Sequence, residues 1–146
     1  MSDDKARKDL GLTHIALCVN EIERSLAFYR RYAEMDVVHR RAGSDGHTVI
    51  WLTDHTRPFV IVLIETFDEI GDRLGGASHI GVGVESRDEV DRRVAMARAD
   101  DVIVLGPYDT GYPVGYWAIL DDPDGHHLEL AYGQEVGYTV ETQAGF

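Results

Sequence analysis

The chain has 146 residues, 44% of them hydrophobic, and a formal net charge of -12. That length suits one domain or two small modules sharing a core, and the acidic balance argues against a nucleic-acid partner, which would favour a basic face. No apolar run is long enough to span a bilayer. The charged opening, Met1 to Asp9, lacks the apolar core of a signal peptide, so a cytoplasmic protein with no membrane contact is predicted. The single cysteine, Cys18, cannot form an internal disulfide, which agrees with a reducing compartment. Its place in an apolar strand predicts a buried thiol.

Residues 1–10 read as an N-terminal tail. Leu12 to Val19 is short, apolar and partly β-branched, and is predicted as a strand. Asn20 with Glu23 forms a capping-box pattern, after which Ile22, Leu26, Tyr29 and Ala33 recur at helical spacing. Val37 to Arg41, Thr48 to Leu52 and Phe59 to Glu65 read as three strands. Gly43-Ser44-Asp45-Gly46 and Asp54 to Pro58 are the turns between them. Residues 68–76 read as a linker.

The pattern then returns. Ser78-His79-Ile80-Gly81-Val82-Gly83-Val84 echoes Thr13-His14-Ile15-Ala16-Leu17-Cys18-Val19, and Ser86 with Glu89 repeats the capping box. Val90, Val94 and Ala97 give a second helix its apolar stripe. Val102 to Leu105, Tyr116 to Leu120 and His127 to Tyr132 are the following strands. The reading is an α+β chain of two βαβββ modules, residues 11–67 and 77–134, with residues 135–146 as a C-terminal tail or an edge cover.

The last hairpin is the most informative stretch. Ala118 to Leu120 meets Asp121-Asp122-Pro123-Asp124-Gly125, and the chain returns through His126 to Leu130. In the return strand Leu128, Leu130 and Tyr132 share one face, and His127, Glu129 and Ala131 the other. A carboxylate in such company costs free energy to bury unless something positive meets it. A duplicated module can pair with itself about a pseudo-twofold axis, so that equivalent residues face each other. Each module opens with a histidine, His14 and His79, and closes with an acid, Glu65 and Glu129. Sequence separation favours Glu65 as the counterpart of Glu129, whereas aligning Leu63 with Leu128 puts Ile64 there, on the other face. Two imidazoles and one or two carboxylates converging on a concave sheet make a divalent-metal site.

Other residues are assigned less. His127 shares the face of Glu129 and could border the site. His39, His47 and His55 lie near turns. Arg40, Arg41, Arg92 and Arg93 read as solvated. Asp109 to Gly115 is a Gly/Pro-rich loop leading into a site strand, and it could cover a substrate. Tyr112 within it and Tyr116 just after it are pocket candidates.

His14 in THIALCV, the helix EIERSLAFYRRYAEM, His79 in SHIGVGV and the hairpin LDDPDGHHLEL together resemble the vicinal oxygen chelate superfamily, which includes glyoxalase I, extradiol dioxygenases, fosfomycin-resistance proteins and bleomycin-binding proteins. The resemblance spans about Leu12 to Gly133. It implies paired βαβββ modules forming an open, cup-shaped mixed sheet around a metal, with His14, His79 and Glu129 as ligands. Glu65 falls near the fourth ligand of glyoxalase I, as ligand or base. Without Glu65, two histidines and one carboxylate suit Fe²⁺ or Mn²⁺ ahead of Zn²⁺ or Ni²⁺. The activity expected is that of a metal-dependent enzyme on a small substrate with vicinal oxygens, extradiol-dioxygenase-like. A glyoxalase-type lyase or isomerase is the first alternative, and a bleomycin-resistance-type binding protein without catalysis the second. Exposed sheet edges make a homodimer the expected assembly.

Overall fold

The computed structural model describes residues 9–142. The chain divides into two compact units, Met1–Arg73 and Leu74–Phe146, with the division falling inside the predicted linker. In the first unit β1 (His14–Val19) leads to α1 (Ile22–Ala33), and β2 (Asp36–Ala42), β3 (Thr48–Thr53) and β4 (Val60–Glu65) follow. The second repeats the order with β5 (Ile80–Gly83), α2 (Arg87–Ala99), β6 (Val104–Asp109), β7 (Tyr116–Asp121) and β8 (His127–Tyr132), then adds α3 (Val136–Thr142). Each unit holds one open four-stranded sheet, ordered β1-β4-β3-β2 and β5-β8-β7-β6. In both, the first strand lies parallel to the last and the other pairs are antiparallel. The α+β fold and the βαβββ repeat read from the sequence are therefore present.

Alternation fixes the faces of each sheet. In β1, Leu17 and Val19 are buried while His14, Ala16 and Cys18 are exposed. Ile61 and Leu63 of β4 join Leu17 in the core with Leu26, Phe28, Tyr29 and Tyr32 of α1, which packs on β4. In the second unit α2 packs on β6, β7 and β8. Val90 and Val94 meet Ala118 there, with Val84, Val104 and Tyr116 around them.

Several local expectations change. Asn20 does not cap α1: the N-cap is Glu21, whose side chain makes no capping hydrogen bond. The Asn20 amide instead donates to the carbonyls of Thr66 (2.8 Å) and Asp68 (2.9 Å), pinning the exit of β4. Ser86 does cap α2, accepting from the Glu89 amide at 3.0 Å. The Glu89 carboxylate, however, turns to Arg92 (2.6 Å) and Arg93 (2.7 Å) instead of closing the box. Arg93 is buried rather than solvated, since α2 turns it toward the sheet side with Val90 and Val94. Cys18 is exposed, because it shares the helix-free face with His14 and Ala16. Part of the predicted C-terminal tail is α3, and its apolar residues Val136, Tyr138 and Val140 are exposed. The remaining tail residues, 1–8 and 143–146, lie outside the described residues.

Candidate metal centre

The hairpin before β8 forms as its residues dictate. Gly125 takes φ 87°, which a residue with a Cβ adopts only under strain. The Asp122 amide donates to the His126 carbonyl at 2.8 Å, closing the turn. The buried Asp122 carboxylate accepts from the amides of Asp124 (2.8 Å) and His126 (2.9 Å). His126 is also buried, and its Nδ1 accepts from the Leu74 amide at 3.1 Å, holding the start of the unit to the turn.

Ala118 of β7 faces α2, and it pairs with Leu130. Leu128, Leu130 and Tyr132 therefore lie on the helix side, and His127 and Glu129 on the other, as the alternation predicted. Glu129 is in register with Gly81 of β5. His79 precedes Gly81 by two residues and so presents to the same face. The result is a convergent pair: His79 Nε2 lies 3.3 Å from Glu129 Oε2, with Glu129 only 5% exposed. Gly81 leaves room beneath the pair, since a Cβ there would reach only Glu129 Oε1, at 3.7 Å.

The other ring nitrogen of His79 sets its chemistry. Nδ1 is 2.8 Å from the Ala77 carbonyl oxygen. A carbonyl only accepts, so Nδ1 carries a proton. Nε2 then meets the carboxylate either as a second proton donor or as a lone pair. In the second state two Lewis bases aim at one spot, which is the arrangement a divalent cation requires. The other carboxylate oxygen, Glu129 Oε1, accepts a hydrogen bond from the Gln134 side chain, whose Nε2 donates to it at 2.8 Å. Gln134 carries no sequence signal: it lies in the bend after β8, outside any periodic element.

His14 repeats part of this design in the first unit. Its Nδ1 is engaged by Thr13 Oγ1 at 2.8 Å, and the exposed ring keeps Nε2 available. Among the described residues no group of three or more His, Cys, Asp or Glu side chains is gathered closely enough to hold a metal ion. The second unit supplies a pair.

The ladders decide which residue of the first unit matches Glu129. Ile80 pairs with Leu128 and Gly81 with Glu129. In the equivalent ladder Ile15 pairs with Ile61 and Ala16 with Val62. The counterpart of Glu129 is therefore Val62. Glu65 stands opposite Val19 at the far end of the ladder from His14, about 16 Å away at about 3.3 Å per residue. It shares the α1 face with Leu63, and its Oε1 accepts from the Thr48 amide at 3.1 Å. The first module thus does not bring Glu65 to His14.

The pocket candidates separate in the same way. His127 does lie on the Glu129 face, with Nε2 3.2 Å from Asp121 Oδ1 and Nδ1 3.2 Å from the Gly76 carbonyl. Tyr116 lies on the α2 face instead. Its hydroxyl donates to Asp91, and the Arg87 guanidinium stacks over its ring at 4.2 Å. That hydrogen bond, then burial, raises the phenol above its ordinary pKa. Tyr112 and Tyr116 line an open cleft of about 240 Å³ with Arg87, Asp109 and Tyr132, on the opposite side of the sheet from the histidine–glutamate pair.

The fold defines a class. The model of the Glyoxalase/Bleomycin resistance protein/Dioxygenase superfamily matches residues 11–130, and the chain belongs to that family. It is 35% identical to the uncharacterized protein PA2024 of Pseudomonas aeruginosa, across 86% of this chain and 91% of that protein. It is 31% identical to a lactoylglutathione lyase of Neisseria meningitidis, across 83% of this chain and 89% of that enzyme. Among solved structures, a mutant of the fosfomycin resistance protein FosX from Listeria monocytogenes, complexed with Mn(II) and 1S,2S-dihydroxypropylphosphonic acid, superposes with a TM-score of 0.71. That match has 20% identity and covers 90% of this chain and 98% of the other. No helix among the described residues is long and apolar enough to cross a membrane.

Proposed function

We propose that the chain is a metal-dependent enzyme acting on a small substrate through two adjacent oxygens, and that His14, His79 and Glu129 hold its ion. The observation that carries this reading is the convergence of His79 Nε2 and Glu129 Oε2 at 3.3 Å on a buried carboxylate. His14 is the third ligand by its place in the repeat and its available Nε2. The donor set suits Fe²⁺ or Mn²⁺ and tolerates Zn²⁺ or Ni²⁺, and the fold holds Mn(II) in the FosX protein. Once bound, the ion supplies Lewis-acid stabilisation of negative charge on the substrate oxygens.

The chain's own residues perform the remaining tasks. Ala77 holds His79 in the tautomer that presents Nε2. Glu129 contributes one negative charge from a buried position, where water screens it least. His127, fixed by Asp121, offers a polar edge on the same face. Val62 provides no second carboxylate where glyoxalase I, by the resemblance, has its fourth ligand. A three-ligand set with open positions supports oxygen chemistry of the extradiol type over proton shuttling between paired glutamates.

A second reading, a lyase or isomerase, is favoured by the 31% identity to lactoylglutathione lyase. In that reading Glu129 is the proton shuttle, since a base must lie within hydrogen-bond reach of the substrate. Anaerobic preparation, metal analysis and oxygen uptake with a panel of catechols test the first reading. Turnover of a hemithioacetal without oxygen uptake would establish the second in its place. Among the described residues the outer strands of both sheets pair on one side only, which supports a homodimer. Sedimentation equilibrium giving a single-chain mass would refute that assembly.

A further inference from the structure

We infer that Gln134 is a positioning residue that commits Glu129 to offering a single oxygen, Oε2, to the cation; the inference rests on the metal reading above. Both oxygens of Glu129 have separate partners. Oε2 faces His79 Nε2, and Oε1 accepts from the Gln134 amide nitrogen at 2.8 Å. An amide NH₂ only donates, so its hydrogen bond draws electron density from Oε1 and leaves Oε2, which faces His79, the stronger donor toward a cation.

The placement of Gln134 depends on the bend after β8. Strict alternation beyond Tyr132 would send residue 134 to the α2 face. Gly133, at φ 80°, turns the chain at the end of the strand, and the Gln134 amide reaches Glu129 on the other face. The bend is held from outside. The Glu135 amide donates to the Pro113 carbonyl at 3.0 Å, and Gly115 packs so closely that a Cβ on it would lie 2.3 Å from the Tyr132 carbonyl oxygen. The 109–115 loop, read from the sequence as a possible substrate cover, thus buttresses the residue that orients Glu129. A carboxylate restricted to one oxygen leaves one more coordination position open for a substrate that binds through two. Outer-shell hydrogen bonds of this kind orient ligands in metal sites generally.

The test is infrared difference spectroscopy of the full-length protein with and without Mn(II), for wild type, Gln134→Met and Gln134→Asn, with Glu129→Gln as the control. Methionine keeps the length and removes the donor. Asparagine withdraws the amide by one methylene and keeps the bend polar. Wild type is expected to show the wide separation of asymmetric and symmetric carboxylate stretches that marks one-oxygen ligation. Both Gln134 variants are expected to show a narrower separation. A purely structural Gln134 predicts a lower melting temperature with an unchanged separation, and that result overturns the inference. If wild type shows no Mn(II)-dependent carboxylate band, or Glu129→Gln shows the same band, the metal reading fails and the inference falls with it.

Discussion

His79 Nε2 and Glu129 Oε2 lie 3.3 Å apart, brought together by the parallel pairing of the first and last strands of the second module. The carboxylate is buried, so each of its partners matters. Among the described residues His79→Ala leaves it only the Gln134 amide, at an expected cost of about 1–3 kcal/mol in the metal-free protein. Urea denaturation measures this, and His79→Gln, which restores a donor, should recover much of the loss.

Two glycines should respond in opposite ways. Gly115 has φ 84°, and a Cβ on it would meet the Tyr132 carbonyl oxygen at 2.3 Å and the Gly133 carbonyl carbon at 2.8 Å. Gly115→Ala is expected to cost at least about 2 kcal/mol. At Gly81 a Cβ would meet only Glu129 Oε1, at an ordinary 3.7 Å. Gly81→Ala is expected to change stability by less than about 1 kcal/mol. Parallel thermal melts decide both.

Stability should depend on pH through Glu89. Hydrogen bonds from Arg92, then Arg93, lower its pKa from the usual 4.5 to about 2. A depressed carboxylate contributes stability that is complete above 4.5 and is lost as pH falls toward 2. Glu89→Gln should therefore be less stable than wild type at neutral pH, and the two melting curves should converge in acid. A gap between them that stays constant across that range would contradict the assignment.

Signals carried by alternation and repetition were legible in the sequence. THIALCV and SHIGVGV placed both histidines at equivalent strand starts, and LDDPDGHHLEL placed Glu129 on the face away from Leu128 and Leu130. Signals that depend on register and packing were not. Glu65 matches Glu129 by sequence separation, yet the ladders align Val62 with Glu129, because the connections inside the two modules differ in length. Cys18 looked buried because its neighbours are apolar, although alternation puts it on the helix-free face of β1. Arg93 looked solvated beside Arg92, yet adjacent residues on a helix point to different sides. Tyr116 sits in a site strand but faces α2, so its partner is Asp91. Gln134 was invisible, because a bend at a positive-φ glycine has no period to read.

The most direct measurement is Mn(II) titration by calorimetry of the metal-stripped protein and of His14→Ala, His79→Ala and Glu129→Gln. The account predicts one ion per chain in wild type and a large loss of affinity in each variant. Wild type that takes up no ion, or a His14→Ala protein that binds as tightly as wild type, would contradict it.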